Sequence, residues 1–149
     1  MKLEWLILGD FAQVVGNKLY LQGGGWDRLT VNTGFPTQWG IGIAASFIVP
    51  WNETDQTHST SIEIVTDDGA QLAKIEGQLR VGRPADIPAG QAQRSQMAGN
   101  IGLSLDKPGT YSIVAFIEGQ EVGRTVFNVV KGPFLEMRDR EQGRASSGS

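Results

Sequence analysis

Apolar residues recur at every second position through most of this 149-residue chain. Ile41, Ile43, Ala45, Phe47 and Val49 share one side of an extended run. Ala73, Ile75, Gly77, Leu79 and Val81 share one side of another, against Lys74, Glu76, Gln78 and Arg80. Met97 to Leu105 and Tyr111 to Ile117 repeat the pattern, and Thr125, Phe127 and Val129 end it. A repeat of two puts alternate side chains on opposite faces of a strand, so each run predicts a half-buried β-strand. The expected core is Leu3, Trp5, Ile7, Leu19, Leu21, Ile43, Phe47, Ile62, Ile64, Ile75, Leu79, Ile101, Leu103, Tyr111, Ile113, Ala115 and Phe127.

Turn-forming residues fall between these runs. Asp67-Asp68-Gly69 separates Ser61–Val65 from Gln71–Val81, and Gly16-Asn17 separates Leu6–Val15 from Lys18–Gln22. Both predict tight hairpins, because aspartate, asparagine and glycine tolerate the left-handed backbone that such turns need. Glu118-Gly119-Gln120 and Lys107-Pro108-Gly109 mark two further turns. Nothing before residue 133 carries a helical repeat. The pattern predicts an all-β fold: a single antiparallel β-sandwich of about seven to nine strands, immunoglobulin-like or C2-like, with a mostly closed barrel as the alternative.

Two stretches leave this rhythm. Residues 82–96 hold Pro84, Pro88 and Gly90 and few apolar side chains. They predict a long loop carrying the chain from one sheet to the other. Residues 133–149 read as an appendage to a sandwich domain of residues 1–132. Phe134 to Gln142 tolerates a helix, and Ala145-Ser146-Ser147-Gly148-Ser149 is flexible by composition.

Composition narrows the chemistry. There is no cysteine, which removes disulfides, zinc-thiolate sites and thiol nucleophiles. The net charge of −3 and the lack of interleaved basic and aromatic residues argue against a nucleic-acid partner. The apolar runs fall short of a membrane span, and Leu3 to Leu8, interrupted by Glu4, lacks a signal-peptide pattern. A cytoplasmic protein is expected. His58 is the only histidine and no Gly-x-Ser-x-Gly elbow accompanies it, so no nucleophile–base set is expected.

Six features remain to be weighed as candidate sites. Trp51, Asn52, Glu53, Asp55 and His58 form the most polar stretch between strong strands, able to meet a sugar or a divalent metal, or to be a solvated loop. Gly40, Gly42, Ala44 and Ser46 form a small, flat, uncharged strand face beside Trp39, suited to close packing on another sheet or subunit. Phe134 and Leu135 open the appended tail as possible docking residues. Asp10, beside Gly9 between apolar runs, reads as a bend or bulge residue, with general base as the minor alternative. Gly23-Gly24-Gly25 lacks the lysine, hydroxyl and helix of a phosphate loop and predicts a bulge, with Trp26 packed over it. Arg80, Arg83 and Arg94 bracket the long loop as a weak anion patch.

The run from Leu8-Gly9-Asp10-Phe11-Ala12-Gln13-Val14 through Gly23-Gly24-Gly25-Trp26-Asp27 resembles the start of a bacterial family of small all-β proteins, a domain of unknown function. Pro50-Trp51-Asn52-Glu53 and Pro108-Gly109-Thr110-Tyr111 are similar to blocks of the same family. The resemblance covers roughly residues 3 to 130 and brings no activity or cofactor with it. The last hairpin, from Pro108 to Val129, also resembles that of immunoglobulin-like sandwiches.

The expected function is that of a non-enzymatic interaction or structural module that self-associates, with protein as partner and no cofactor. A ligand-binding module built on the Trp51–His58 loop is the alternative. A hydrolase-type enzyme with Asp10 or Glu53 as general base is the second.

Overall fold

Ten strands and one α-helix follow one another along residues 1–147, which the computed structural model describes. They are β1 (Lys2–Gly9), β2 (Phe11–Val15), β3 (Lys18–Gln22), β4 (Arg28–Val31), β5 (Thr37–Val49), β6 (Thr57–Val65), β7 (Gln71–Arg80), β8 (Gln93–Leu105), β9 (Gly109–Ile117), β10 (Gln120–Lys131) and α1 (Pro133–Ser147). A single 3₁₀ turn, Trp51–Glu53, follows β5. The strand count exceeds the seven to nine expected, chiefly because β2, β3 and β4 are only five, five and four residues long.

The strands form three sheets instead of the two of a single sandwich. One runs β1-β5-β8, a second β4-β10-β9-β6-β7, and the third is the hairpin β2-β3. All pairs are antiparallel except β4 with β10, which departs from the expected all-antiparallel arrangement. The 82–96 stretch does pass from one sheet to another, from β7 to β8, although β8 already begins at Gln93.

The two larger sheets share the main core. Ile41, Ile43, Phe47 and Val49 of β5 are fully buried and belong to one cluster with Ile62, Ile64, Ile113, Phe127 and Val129. Tyr111 stacks on Phe127 at 5.4 Å, and Trp26 meets the same ring edge-on at 5.9 Å. The Tyr111 hydroxyl donates to the Lys107 carbonyl at 2.6 Å, and burial pushes its pKa above the ordinary phenol range.

The turns take the backbone that their residues favour. Gly16 and Asn17 both have positive φ, 57° and 62°, which makes a two-residue hairpin turn closing on Val15 and Lys18. Thr66 to Ala70 closes β6 on β7 around Gly69 at φ 86°.

Two expectations about the core are corrected. Trp5 and Ile7 do not continue the face that Leu3 begins. Leu3 stands opposite Phe47, but Trp5 stands opposite Ser46, so Glu4 is one extra residue in β1. Such a bulge moves every later side chain to the other face. Leu6 and Leu8 therefore join the main core, while Trp5 and Ile7 share a face with Ser46 and Ala44. Leu19 and Leu21 likewise lie outside the main core cluster, in the small hairpin.

The tail is helical from Pro133 to Ser147, so residues 145–147 of the expected flexible end continue the helix, and Gly148 and Ser149 lie outside the described residues. Proline suits a first helical position, where its missing N–H has no partner to lose. Among the described side chains of the helix only Leu135 is buried in the core, whereas Phe134 and Met137 are exposed. Lys131 bonds Asp139 at 2.5 Å and holds that carboxyl below the usual carboxylate range. Among the described residues, no helix is long and apolar enough to cross a membrane.

Candidate functional site

The polar stretch after β5 turns on Pro50 and the 3₁₀ turn, and re-enters the sheet at Thr57. Each of its ionisable groups faces a partner from a different part of the chain. The Glu53 carboxylate pairs with the Met1 amino group. Asp55, at φ 57°, lies 4.0 Å from the Arg83 guanidinium. His58 is buried; its Nε2 donates to the Glu53 carbonyl at 2.8 Å, and its Nδ1 lies 3.3 Å from Glu118. Glu118, in the β9–β10 turn, also accepts from the Ser59 N–H at 3.3 Å and the Ser59 hydroxyl at 3.1 Å.

Arg83 ties the far side of the loop. Its Nε donates to the Thr54 hydroxyl at 2.6 Å and its other arm donates to the Trp51 carbonyl at 2.9 Å. The same guanidinium lies 4.4 Å from the centroid of the Trp51 ring, covering one face of it. A cation over an aromatic face is worth roughly 0.5–1 kcal/mol where exposed. Sequence spacing missed the roles of Arg83 and Glu118, which are 29 and 60 positions from Thr54 and His58.

Trp51, Asn52, Glu53, Asp55 and His58 thus share one loop, but Glu53, Asp55 and His58 point to three separate partners. Among the described residues no three histidine, aspartate or glutamate side chains converge to hold a metal ion. The three arginines do not form one patch either, since Arg94 forks onto Glu4 at 2.8 and 3.0 Å while Arg83 is held at Trp51. Asp10 is exposed at the bend between β1 and β2, and its N–H donates to the Gln22 carbonyl at 2.9 Å. That placement fits the bend reading.

The small-residue face of β5 has a partner within the chain. The hairpin β2-β3 lies on it. A Cβ on Gly42 would fall 2.6 Å from the Ala12 nitrogen and 2.6 Å from the Phe11 carbonyl carbon, so only glycine admits this approach. Asn100, across from Gly42 on β8, grips the same strand twice. Its Oδ1 accepts from the Ala12 N–H at 2.9 Å, and its Nδ2 donates to the Ala12 carbonyl at 2.8 Å. Gln96 adds a bond to the Asn17 carbonyl at 3.0 Å.

The expected interface residues are corrected accordingly. Gly42 and Ala44 are buried beneath the hairpin, Trp39 packs against the end of the main core, and Leu135 is a core residue. Gly40 and Phe134 remain at the surface. The exposed apolar side chains stand instead on the outer face of the hairpin. Phe11, Val15 and Tyr20 are 41%, 52% and 53% exposed, on diagonally adjacent positions of the β2-β3 pair. Their signal in the sequence was alternation, of Tyr20 with Leu19 and Leu21 and of Phe11 and Val15 with Ala12 and Val14.

The chain belongs to DUF6941, a family of unknown function whose model matches residues 4–130, so that β2-β3 and the Trp51–His58 loop lie inside the matched part and α1 outside it. None of the curated proteins matches the chain.

Proposed function

We propose that this DUF6941 member is a non-enzymatic interaction module that associates with itself. The observation that supports it is the outer face of β2-β3, where Phe11, Val15 and Tyr20 stand in solvent on a rigidly docked element. Exposed apolar groups in one contiguous patch mark interaction surfaces more often than isolated ones do. The polar loop offers less to a ligand: sugar stacking on Trp51 has one ring face, and metal binding first breaks the Glu53, Asp55 and His58 pairs.

The finer fold reading, an immunoglobulin-like last hairpin, rests on Tyr111. Its hydroxyl reaches back four residues to Lys107, as the tyrosine corner of such domains does.

Light scattering on the full chain across the micromolar range tests the function. A mass that rises with concentration from one to two or more copies is the expected result. A constant monomer mass at high micromolar concentration rejects the reading.

A further inference from the structure

The hairpin β2-β3 has two outer edges, and they are treated differently. Its two-residue turn makes Val15 with Lys18, Gln13 with Tyr20 and Phe11 with Gln22 the hydrogen-bonded pairs. The peptide groups of the alternate residues therefore point out of the hairpin: Ala12 and Val14 on β2, Leu19 and Leu21 on β3. On the β2 side, the Asn100 amide takes both outward groups of Ala12, while those of Val14, like the β3 groups, have no partner among the described residues. On the β3 side, the outward N–H and C=O of Leu19 and Leu21 have no hydrogen-bond partner among the described residues.

An open strand edge is a template for another strand, and folded proteins usually block it. The other edges differ from this one. β7 and β8 run beside each other, β1 lies beside β10, and β4 is four residues long. The β3 edge adjoins the exposed patch of Phe11, Val15 and Tyr20 and, unlike the β2 edge, carries no side-chain cap among the described residues.

We propose that β3 pairs antiparallel with β3 of a second copy about a twofold axis at Tyr20, joining two hairpins into one four-stranded sheet. The inference rests on the self-association reading and specifies its contact. This register sets Leu19 opposite the partner's Leu21, which engages every outward group of both residues in both copies. It sets Lys18 opposite the partner's Gln22, so the cations at the strand ends stay apart. Tyr20 then faces the partner's Tyr20 as a non-hydrogen-bonded pair, the closer kind, with Cα atoms about 4.5 Å apart. A register centred on Leu19 or Leu21 leaves half of these peptide groups unpaired. A twofold contact uses one patch twice and closes on itself, so the assembly stops at two copies.

Charge exchange at the axis provides the test, because the same residue meets itself there. Tyr20 is exposed, so Tyr20→Lys and Tyr20→Glu keep the fold, checked by an unchanged melting temperature. Like charges directly across a strand pair are destabilising. Each variant alone is expected to raise the dimer dissociation constant by about fivefold relative to the native chain. An equimolar mixture of the two is expected to recover the dimer through a cross-chain Lys–Glu pair. In the native chain, the Leu19 and Leu21 amides gain protection from hydrogen exchange as concentration rises.

Variants that dimerise as the native chain does overturn the β3 contact and leave self-association standing. Variants that are monomeric both alone and mixed overturn the twofold register. A native chain that is monomeric throughout overturns both the contact and the reading beneath it. Protection at Leu19 and Leu21 conferred by an unrelated extended peptide, without dimerisation, assigns the edge to a different partner and overturns the proposal.

Discussion

On one face of β5, Ile41, Ile43, Phe47 and Val49 interlock with the side chains of the five-stranded sheet. On the other, Gly42, Ala44 and Ser46 leave a shallow bed that receives the backbone of β2. The first covering works by filling space, and the second by leaving it empty. Filling space contributes roughly 1.5–3 kcal/mol for each large apolar side chain. The second covering gains less from area and depends on placement: the Asn100 amide must meet Ala12 within hydrogen-bond distance, and nothing larger than hydrogen fits at Gly42. One strand therefore carries both a tolerant contact and an exacting one.

The comparison predicts a graded set of responses. Phe47→Ala empties the filled face and is expected to cost about 3–5 kcal/mol, read as a lower denaturation midpoint with loss of the whole domain. Gly42→Val acts on the bed alone. Its side chain collides with backbone that cannot step aside without moving the hairpin, at a cost of about 1–3 kcal/mol. Amide exchange should then rise across residues 11–22 while Ile62 and Ile113 stay protected. Uniform loss of protection contradicts a separable hairpin.

Asn100→Ala leaves the glycine contact and removes both amide bonds, with an expected loss of about 1–3 kcal/mol and exchange raised at Ala12 first. The smallest effect has the opposite sign. The Ser46 hydroxyl is buried without a hydrogen-bond partner among the described residues, so Ser46→Ala should raise stability by up to about 1 kcal/mol in thermal melts. A loss there points to a partner for the hydroxyl.

Much of the strand layout was readable along the chain. Gly16-Asn17 and Asp67-Asp68-Gly69 are turns for a local reason, because their residues tolerate the backbone angles required. The β7 alternation is regular, and its strand lies where the alternation does. The candidate site was less legible. Trp51 to His58 could be singled out as polar, but Glu53, Asp55 and His58 each face a residue far away in sequence. Their chemistry depends on which groups the fold brings opposite, and residue spacing does not encode that.

β5 also shows where local reading stops. Its alternation predicts a half-buried strand, with Ile41, Ile43, Ala45, Phe47 and Val49 on the core side. The small side chains at Gly42, Ala44 and Ser46 imply close approach. Composition and alternation thus established an all-β chain, its turns, and a small-residue face on β5 suited to close packing on another sheet or subunit. They left open that the chain's own β2-β3 covers that face. A single extra residue at Glu4 also turns Trp5 and Ile7 away from the core face that Leu3 begins. Alternation has the same period on either face of a strand, so only pairing between distant segments decides which face meets which neighbour.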